Sequence, residues 1–419
     1  MARKLPPCGT KFGFLVDESV SFARDPMQYI QKKQTASGST LFRTRILGKS
    51  TVFVTSNDDV RRLLQEQASN YHRSALSHIE DLFGVRSIIF ADNDDFARLR
   101  SIIQSVVEPK RISAHNALID SVIDDHLREL SVDGGVALYK TFKALATDLS
   151  LALFLGMDGD ELRRTSGQFT ELTTEHWRGV VSLPVQFKLP FYGKSRFRAA
   201  MEARSKLMTE IYDRMRRADE TTLLRALADG GFADKEEAAI HVLLFVSALA
   251  PKALASLLTS FCLELAKNDS CRERALNDDG YLDDVLLEIE RLWPPFLGGR
   301  KIATRDFRLG DYVIPQGHSI IYTTFTANRD TSLFPDPEKF NPARWSTSNA
   351  DHREMVWTFG GGQRGCVGKA LSKALVKRCC LYLVKNYTWS FSDGLDLKIK
   401  WLPVTRPREH VIARFSKRK

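Results

Sequence analysis

The stretch FGGGQRGCVG, residues 359–368, determines how the rest of the sequence is interpreted. Its run of glycines, with a further glycine just before the cysteine, excludes a regular helix and lets the backbone approach a partner closely. The pattern after Cys366 predicts a helix over 367–386, so the sulfur is expected near a helix N-terminus, which favours a thiolate. A negative sulfur with Arg364 two residues earlier suits the axial ligand of a flat, anionic metal cofactor. The alternative is a glycine turn before a helix, with one buried cysteine.

The spacing F-x-x-G-x-R-x-C-x-G in this stretch resembles the haem-binding signature of the cytochrome P450 family and matches it at every specified position. Three further stretches resemble the family in the expected order. They are EIER at 288–291, FPDPEKFNPARW at 334–345, and the segment 291–317. The resemblance covers essentially the whole chain, most firmly from residue 280 onward.

The resemblance implies a mainly α fold with small β-sheets (α+β), the cytochrome P450 fold, as a single domain over residues 1–419. It implies haem b (iron protoporphyrin IX) as cofactor, with Cys366 as the ligand of the iron. It also implies that Glu288, Arg291 and Arg344 form one buried set, because a charge inside a core must be paired. An exposed helix pair of Glu288 and Arg291 is the alternative, since residues three apart share a helix face.

Several residues match family positions that contact the haem. The family pattern assigns the propionate groups to arginines, because a guanidinium suits a carboxylate. These arginines are Arg364, Arg300 and Arg100. Four residues before Arg100, where the family usually has Trp or His, this chain has Phe96, so one hydrogen bond to a propionate is expected to be missing. The expected cofactor contacts are Cys366, Arg364, Arg300, Arg100, Phe359, Gly360, Gly368, Leu249 and Ala250.

The stretch SALAPKALAS, residues 247–256, interrupts a long apolar helix expected from Asp234 to Ala266. A proline inside a helix costs about 3 kcal/mol, because it lacks an N–H and its ring displaces the preceding turn. Pro251 therefore frees the carbonyl group of Ser247 and is expected to kink the helix.

In the family this helix crosses the distal face of the haem with the motif Ala/Gly-Gly-x-Asp/Glu-Thr. The best match places Leu249 and Ala250 at the small pair, Lys252 at the acid and Ala253 at the alcohol. The family's proton relay is therefore expected to be absent. Besides Cys366, we assign candidate catalytic positions to Pro251, Lys252 and Ala253.

Lys252 has two interpretations. Its stem can lie along apolar surface while the amine reaches solvent, or the amine can hold a substrate carboxylate or phosphate in the pocket. Three reactions remain open: monooxygenation of a small to medium hydrophobic substrate, peroxide-dependent oxidation, and oxygen-independent isomerase, dehydratase or cyclase chemistry. The family favours the first, and the distal helix favours the other two. A haem-binding protein without turnover is the alternative from a different functional class.

The charge of the chain favours an acidic protein partner over a nucleic acid. The formal net charge is +10, but the basic residues are scattered and no nucleic-acid recognition motif accompanies them. Lys369, Lys373 and Lys377 form one stripe on the predicted final helix. In the family this face receives an acidic ferredoxin or reductase, and a solvated helix face is the alternative.

The apolar stretch at 182–193 falls in the region of the family's substrate-entry lid.

The six cysteines show no CxxC spacing, which is typical of a reducing compartment and favours a cytoplasmic protein. No run of about 20 apolar residues is apparent, since the longest candidate, residues 238–250, stops at Pro251. LPPCG at 5–9 resembles the proline hinge that follows a membrane anchor in eukaryotic family members. A trimmed anchor would instead indicate the endoplasmic-reticulum membrane.

The coarse pattern of secondary structure agrees with this interpretation. Residues 41–55 predict a β-hairpin that turns at Gly48-Lys49. Helical patterns dominate from Asn57 to Leu292, short strands are expected over 298–324, and the C-terminal tail is strand-like.

Overall fold

The computed structural model describes residues 4–9, 16–73, 77–130, 135–182, 195–219, 222–248, 250–346, 350–392, 397–408 and 411–418. Its α-helices, in chain order, are α1 Ser19–Arg24, α2 Pro26–Ser37, α3 Asn57–Arg61, α4 Ser77–Phe83, α5 Asn93–Val106, α6 Pro109–Ala114, α7 Asn116–Leu127, α8 Leu138–Leu155, α9 Gly159–Arg178, α10 Arg196–Met215, α11 Leu223–Ala228, α12 Lys235–Leu243, α13 Ala250–Leu265, α14 Asp269–Asn277, α15 Asp279–Leu292, α16 Thr324–Ala327, α17 Ala350–Glu354 and α18 Lys369–Asn386. Its strands are β1 Leu41–Ile46, β2 Lys49–Val54, β3 Tyr71–Arg73, β4 Val136–Ala137, β5 Gly298–Ala303, β6 Phe307–Leu309, β7 Tyr312–Ile314, β8 Ser319–Thr323, β9 Tyr387–Phe391, β10 Ile399–Lys400, β11 Arg406–Pro407 and β12 Ile412–Lys417.

These elements confirm the mainly α class with small sheets. The predicted final helix begins two residues later than expected, at Lys369 rather than 367. The chain divides into two compact units. The first unit comprises Met1–Ser74, Asp279–Cys366 and Ile399–Arg406, and the second comprises the remainder. The expectation of one domain stays a prediction.

The N-terminal hairpin shows how local sequence determines backbone geometry. β1 and β2 pair antiparallel, with Ile46 opposite Lys49. The turn therefore consists of Leu47 and Gly48, one residue earlier than predicted. Both have positive φ, 51° and 71°, as a type I′ turn requires. Glycine tolerates this conformation, whereas Leu47 adopts it at some cost.

The hairpin belongs to a five-stranded sheet of the first unit, in the order β1-β2-β8-β5-β3. β2 pairs with β8 in parallel, and the other neighbours are antiparallel. Successive side chains of a strand point to opposite faces. Val52 and Val54 accordingly join a cluster with Trp357, and Phe53 joins a second cluster with Ile30 of α2. The first cluster packs the sheet against the segment that precedes Cys366.

A buried ion pair lies at the centre of the first unit. Glu288 and Arg291, both 0% exposed, are joined by two hydrogen bonds of 2.8 and 2.9 Å. Arg344 donates to Glu288 at 3.1 Å, which confirms the predicted buried set and excludes the exposed pair. Asn341 and Trp345 also donate to Glu288, and the remaining Arg291 donors bind three carbonyl groups, those of Asn328, Pro337 and Lys339.

The second unit is built on helices. α8 and α13 pack together, with α7, α9 and α18 against them. Buried side chains of α8 run without interruption from Leu145 to Leu155, as expected of a helix surrounded by others. A three-stranded antiparallel sheet, β4-β12-β9, completes this unit.

The long apolar helix begins as predicted, because the side chain of Asp234 accepts a hydrogen bond from the amide of Glu237. The helix continues beyond Pro251 to Leu265, one residue short of the predicted Ala266. Among the described residues, one helical stretch, Lys235–Leu265, is long and apolar enough to cross a membrane. Its apolar window is 80% buried inside the protein, as in a core helix.

Arg291→Ala should lower the free energy of unfolding by about 3–5 kcal/mol, because the carboxylate of Glu288 would remain buried without its main partner. Arg62→Ala is the matched control: its ion pair with Asp58 is 41% and 54% exposed, so a loss of about 0–1 kcal/mol is expected. Urea denaturation of both variants measures the difference. Equal losses would contradict the structural role of the Glu288 set.

Candidate functional site

Cys366 closes a loop whose shape depends on glycine. The loop begins with a 3₁₀ turn, Trp357–Phe359, and the amide of Cys366 donates back to the carbonyl of Phe359 at 2.8 Å. Gly360 and Gly362 have positive φ values of 68° and 62°. A Cβ at Gly362 would also collide with the carbonyl oxygen of Leu64. Both its backbone angle and its surroundings therefore require glycine there.

The thiol of Cys366 is presented outward by this loop. Cys366 is exposed, whereas the other five cysteines are buried or half-buried. A large flat group can reach an exposed sulfur in a glycine-lined loop, so this sulfur can serve as its ligand. The sequence alternative of one buried cysteine after a turn is therefore wrong.

Arg300 lies on β5 in the same unit. Its Nε donates to Ser319 at 2.8 Å, and among the described residues it has no acidic partner. Burial lowers the pKa of Arg300, so an incoming anion would stabilise its charge. Tyr322 connects this strand with the loop, because its ring lies against Gly299 and its hydroxyl lies near Gly360.

Five of the predicted residues lie in the first unit, namely Phe359, Gly360, Arg364, Cys366 and Arg300. An outward-facing thiol, a half-buried arginine without an acidic partner in the described chain, and glycines that keep the approach open fit an anionic iron porphyrin. The residues present therefore match the chemistry of haem.

The remaining predicted cofactor residues lie in the second unit. Arg100, on α5, places its guanidinium 5.9 Å from the ring centre of Phe96, so Phe96 offers a cation–π contact where the family usually has a hydrogen-bond donor. Gly368 is the N-cap of α18. On that helix Lys369 and Lys373 are exposed and Lys377 is half-buried.

The distal helix departs from regular α geometry just before Pro251, and the predicted kink at Pro251 stays a prediction. Regular α-helix ends at Leu243, a π-helical stretch covers Leu244–Ala248, and α13 restarts at Ala250 with Pro251 as its second residue. Leu249 lies outside the described residues, and the side chain of Ala250 is not described. Ala253 is half-buried and carries no hydroxyl group. The apolar stretch at 183–193 also lies outside the described residues.

Lys252 is buried, with 4% exposure, so the interpretation in which its amine reaches solvent is wrong. The amine donates to the carbonyl of Ser247 at 3.1 Å and to that of Thr173 on α9 at 3.3 Å. It also lies 5.3 Å from the ring centre of Trp177. The carbonyl of Ser247 is the group that Pro251 deprives of its amide partner. Lys252 therefore satisfies the acceptor that the preceding residue leaves open.

Ser247 extends this cluster to a buried histidine. His176 Nε2 lies 2.9 Å from the carbonyl of Leu82, and Nδ1 lies 2.6 Å from Ser247 Oγ. Because the carbonyl can only accept, Nε2 carries the proton and Nδ1 accepts from the serine hydroxyl. Burial lowers the pKa of His176 to about 3, and the charge of Lys252 acts in the same direction. His176 is therefore neutral at physiological pH.

Sequence reasoning missed His176, Asn57 and Asn328. Each is a polar side chain in an apolar neighbourhood, but a single sequence does not indicate which distant carbonyl groups such residues meet. For Ser247 the sequence indicates only the carbonyl that Pro251 frees and not the hydrogen bond to His176.

Comparison with known proteins agrees with this geometry. The cytochrome P450 family model matches residues 262–411. Cytochrome P450 26B1 of Danio rerio is 26% identical, covering 90% of this chain and 80% of its own. Abscisic acid 8'-hydroxylase 3 of Oryza sativa subsp. indica is 25% identical, covering 99% and 87%. The solved structure of retinoic acid bound cyanobacterial CYP120A1 superposes with a TM-score of 0.88 at 23% identity, covering 99% of this chain and all of that one.

The fold is the cytochrome P450 fold. This protein matches the cytochrome P450 family over residues 262–411, which confirms the predicted resemblance. It is an enzyme of the monooxygenase type that oxidises a hydrophobic substrate, depends on haem and needs a redox partner.

The pKa of Lys252 is lowered from 10.5 to about 7, mainly by burial and further by Lys143. Between these two values the unfolded chain binds the proton and the folded protein does not. The contribution of Lys252 to the free energy of unfolding should therefore increase with pH across that window. The free energy of unfolding of wild type minus that of Lys252→Met, measured by urea denaturation, should become more positive from pH 7 to pH 10.5.

The control for this prediction is Lys140→Met, an exposed lysine at the start of α8. Its stability profile should run parallel to that of wild type. A Lys252→Met profile that is also parallel to wild type would show that the amine does not titrate inside the fold.

Proposed function

We propose that the protein hydroxylates an apolar carboxylic acid and that Cys366 is the ligand of its haem b iron. The observation that carries the ligand assignment is the exposed Cys366 in a loop that requires glycine at position 362. When bound, the haem supplies oxygen-activating redox chemistry, supported by electron donation from the thiolate. A hydroxylase among the relatives favours monooxygenation over peroxide-driven and oxygen-independent reactions and over a protein without turnover.

Each predicted residue has a role in this proposal. Arg364, Arg300 and Arg100 would neutralise the two propionate groups, because guanidinium groups bind carboxylates through paired hydrogen bonds. Phe359, Gly360 and Gly368 would shape the loop on the cysteine side. The assignment of Leu249 and Ala250 as cofactor contacts stays a prediction from the sequence match.

The distal residues would determine shape rather than deliver protons. Pro251 removes a helical hydrogen bond, and Lys252 replaces it from its side chain at 3.1 Å. This amine already donates to two carbonyl groups, so we do not assign Lys252 to the substrate carboxylate. Ala253 offers no hydroxyl, so protons would come from water or from the substrate.

The substrate class follows from the relatives. One relative is named for abscisic acid, and a solved structure of the same fold holds retinoic acid. Both molecules combine an apolar body with one carboxyl group. A net charge of +10 is compatible with an acidic substrate and an acidic partner.

The redox partner would be an acidic ferredoxin or reductase that binds Lys369, Lys373 and Lys377. The proposed location is the cytoplasm, because the six cysteines show no CxxC spacing, which is typical of a reducing compartment.

Paired acids and methyl esters test the substrate class. Retinoic acid and abscisic acid should each bind at least about tenfold more tightly than their esters, since a charge-assisted hydrogen bond contributes about 1.5–3 kcal/mol. The measurement is the substrate-induced spectral shift, followed by product formation with an electron-supplying reductase, with hydrogen peroxide, or with neither.

Hydroxylated product is expected only when electrons and dioxygen are supplied. Equal binding of acid and ester by both compounds would contradict the substrate class. Product without reductase and without peroxide would contradict monooxygenation.

A further inference from the structure

Asn57 is the first residue of α3 and is 1% exposed. Its Nδ2 donates to the carbonyl groups of Ala327 and Met355, at 2.9 Å each. Its Oδ1 accepts from the indole Nε1 of Trp357 at 3.0 Å. All three contacts lie within the first unit, and two of them reach the segment that leads to Cys366. A carboxamide matches this set because it combines two donors with an acceptor.

Trp357 is the residue on which the cysteine loop rests. It is 2% exposed, and its carbonyl accepts from the amide of Gly360 at 2.8 Å. A Cβ at Gly361 would lie 2.7 Å from the indole ring, so the ring and the glycine backbone are in close contact. The orientation of the indole therefore determines where the glycine backbone can lie, and this backbone leads to Cys366.

Two asparagines fix this tryptophan from different directions. Asn328 Oδ1 accepts from the backbone amide of Trp357 at 2.9 Å, and Asn57 holds the indole N–H. Asn328 is in turn held by Arg291, which donates to its carbonyl at 3.0 Å. The buried ion pair thus reaches the backbone of Trp357, whereas the ring direction depends on Asn57.

We propose that Asn57 is a positioning residue for Cys366, which acts by fixing the indole of Trp357 beneath the glycine loop. This role rests on the proposed function insofar as Cys366 is the iron ligand. The effect on the loop itself does not depend on it. Loss of the hydrogen bond between Asn57 and Trp357 leaves a buried polar group of one partner unsatisfied. The indole ring can then rotate, so the loop that carries Cys366 opens more often.

Hydrogen exchange on the purified full-length protein measures this opening directly. The amides of Gly360 and Cys366 are bonded inside the loop. Their exchange should become about tenfold faster in Asn57→Ala and in Trp357→Phe, since each leaves a buried group without its partner. The double variant should exchange no more than about twofold faster than Asn57→Ala alone, because the bond is already lost.

A matched control separates positioning from general stability. Ile30→Ala removes a fully buried side chain of the same unit that packs in the separate Phe42–Phe53 cluster. At urea concentrations that equalise global stability, this variant should leave the two amides within about twofold of wild type. Equal acceleration in Ile30→Ala, or unchanged exchange in both Asn57→Ala and Trp357→Phe, would overturn the proposal.

The ferrous–CO spectrum of the same samples connects the loop to the ligand. Asn57→Ala and Trp357→Phe should show a smaller share of the thiolate-type band than Ile30→Ala. An unchanged band together with faster exchange would overturn the link to Cys366. A wild-type protein without any thiolate-type band would contradict the proposed function, while the exchange result would still test the loop.

Discussion

The first unit depends on the hydrogen bonds that the buried carboxylate of Glu288 accepts. A charge without water requires partners on every side, and Glu288 accepts five hydrogen bonds, from Arg291, Arg344, Asn341 and Trp345. These donors come from α15 and from the segment Pro342–Trp345 with the residue before it. Because Arg291 uses its other donors on three carbonyl groups, the pair also orders chain that forms no regular element. The cysteine loop is held by the end of this network.

The distal helix shows the opposite arrangement, in which a broken hydrogen bond is replaced locally. Pro251 opens the carbonyl of Ser247, and the next residue supplies an amine to it. Deep burial disfavours the charged form of that amine. Ser247 uses its hydroxyl on a neutral histidine, so the break is a closed polar cluster inside an apolar unit. An acid and an alcohol that relay protons need access to water. In this cluster the hydrogen bonds are instead made to other groups of the protein.

Much of the architecture could be predicted from single residues and their spacing. The cysteine signature predicted the loop, the family resemblance at 288–291 and 334–345 predicted the buried set, and Pro251 predicted the open carbonyl. What the sequence did not show are partners brought together by tertiary packing. Lys252 is ambiguous in sequence, because a long basic side chain reaches solvent as readily as a buried carbonyl. Asn57 lies about 300 residues from the tryptophan that it holds, and a helix-start asparagine is usually explained by local capping.

The ferrous–CO spectrum of wild type, Cys366→Ser and Cys271→Ser tests the central claim most directly. Cys271 is a half-buried cysteine of the second unit and serves as the matched control. We expect a thiolate-type band in wild type and in Cys271→Ser, and its loss in Cys366→Ser, because only a thiolate gives this electronic signature. A Cys366→Ser protein with an unchanged band, or a wild-type protein that fails to bind haem, would contradict the assignment of Cys366 as the iron ligand.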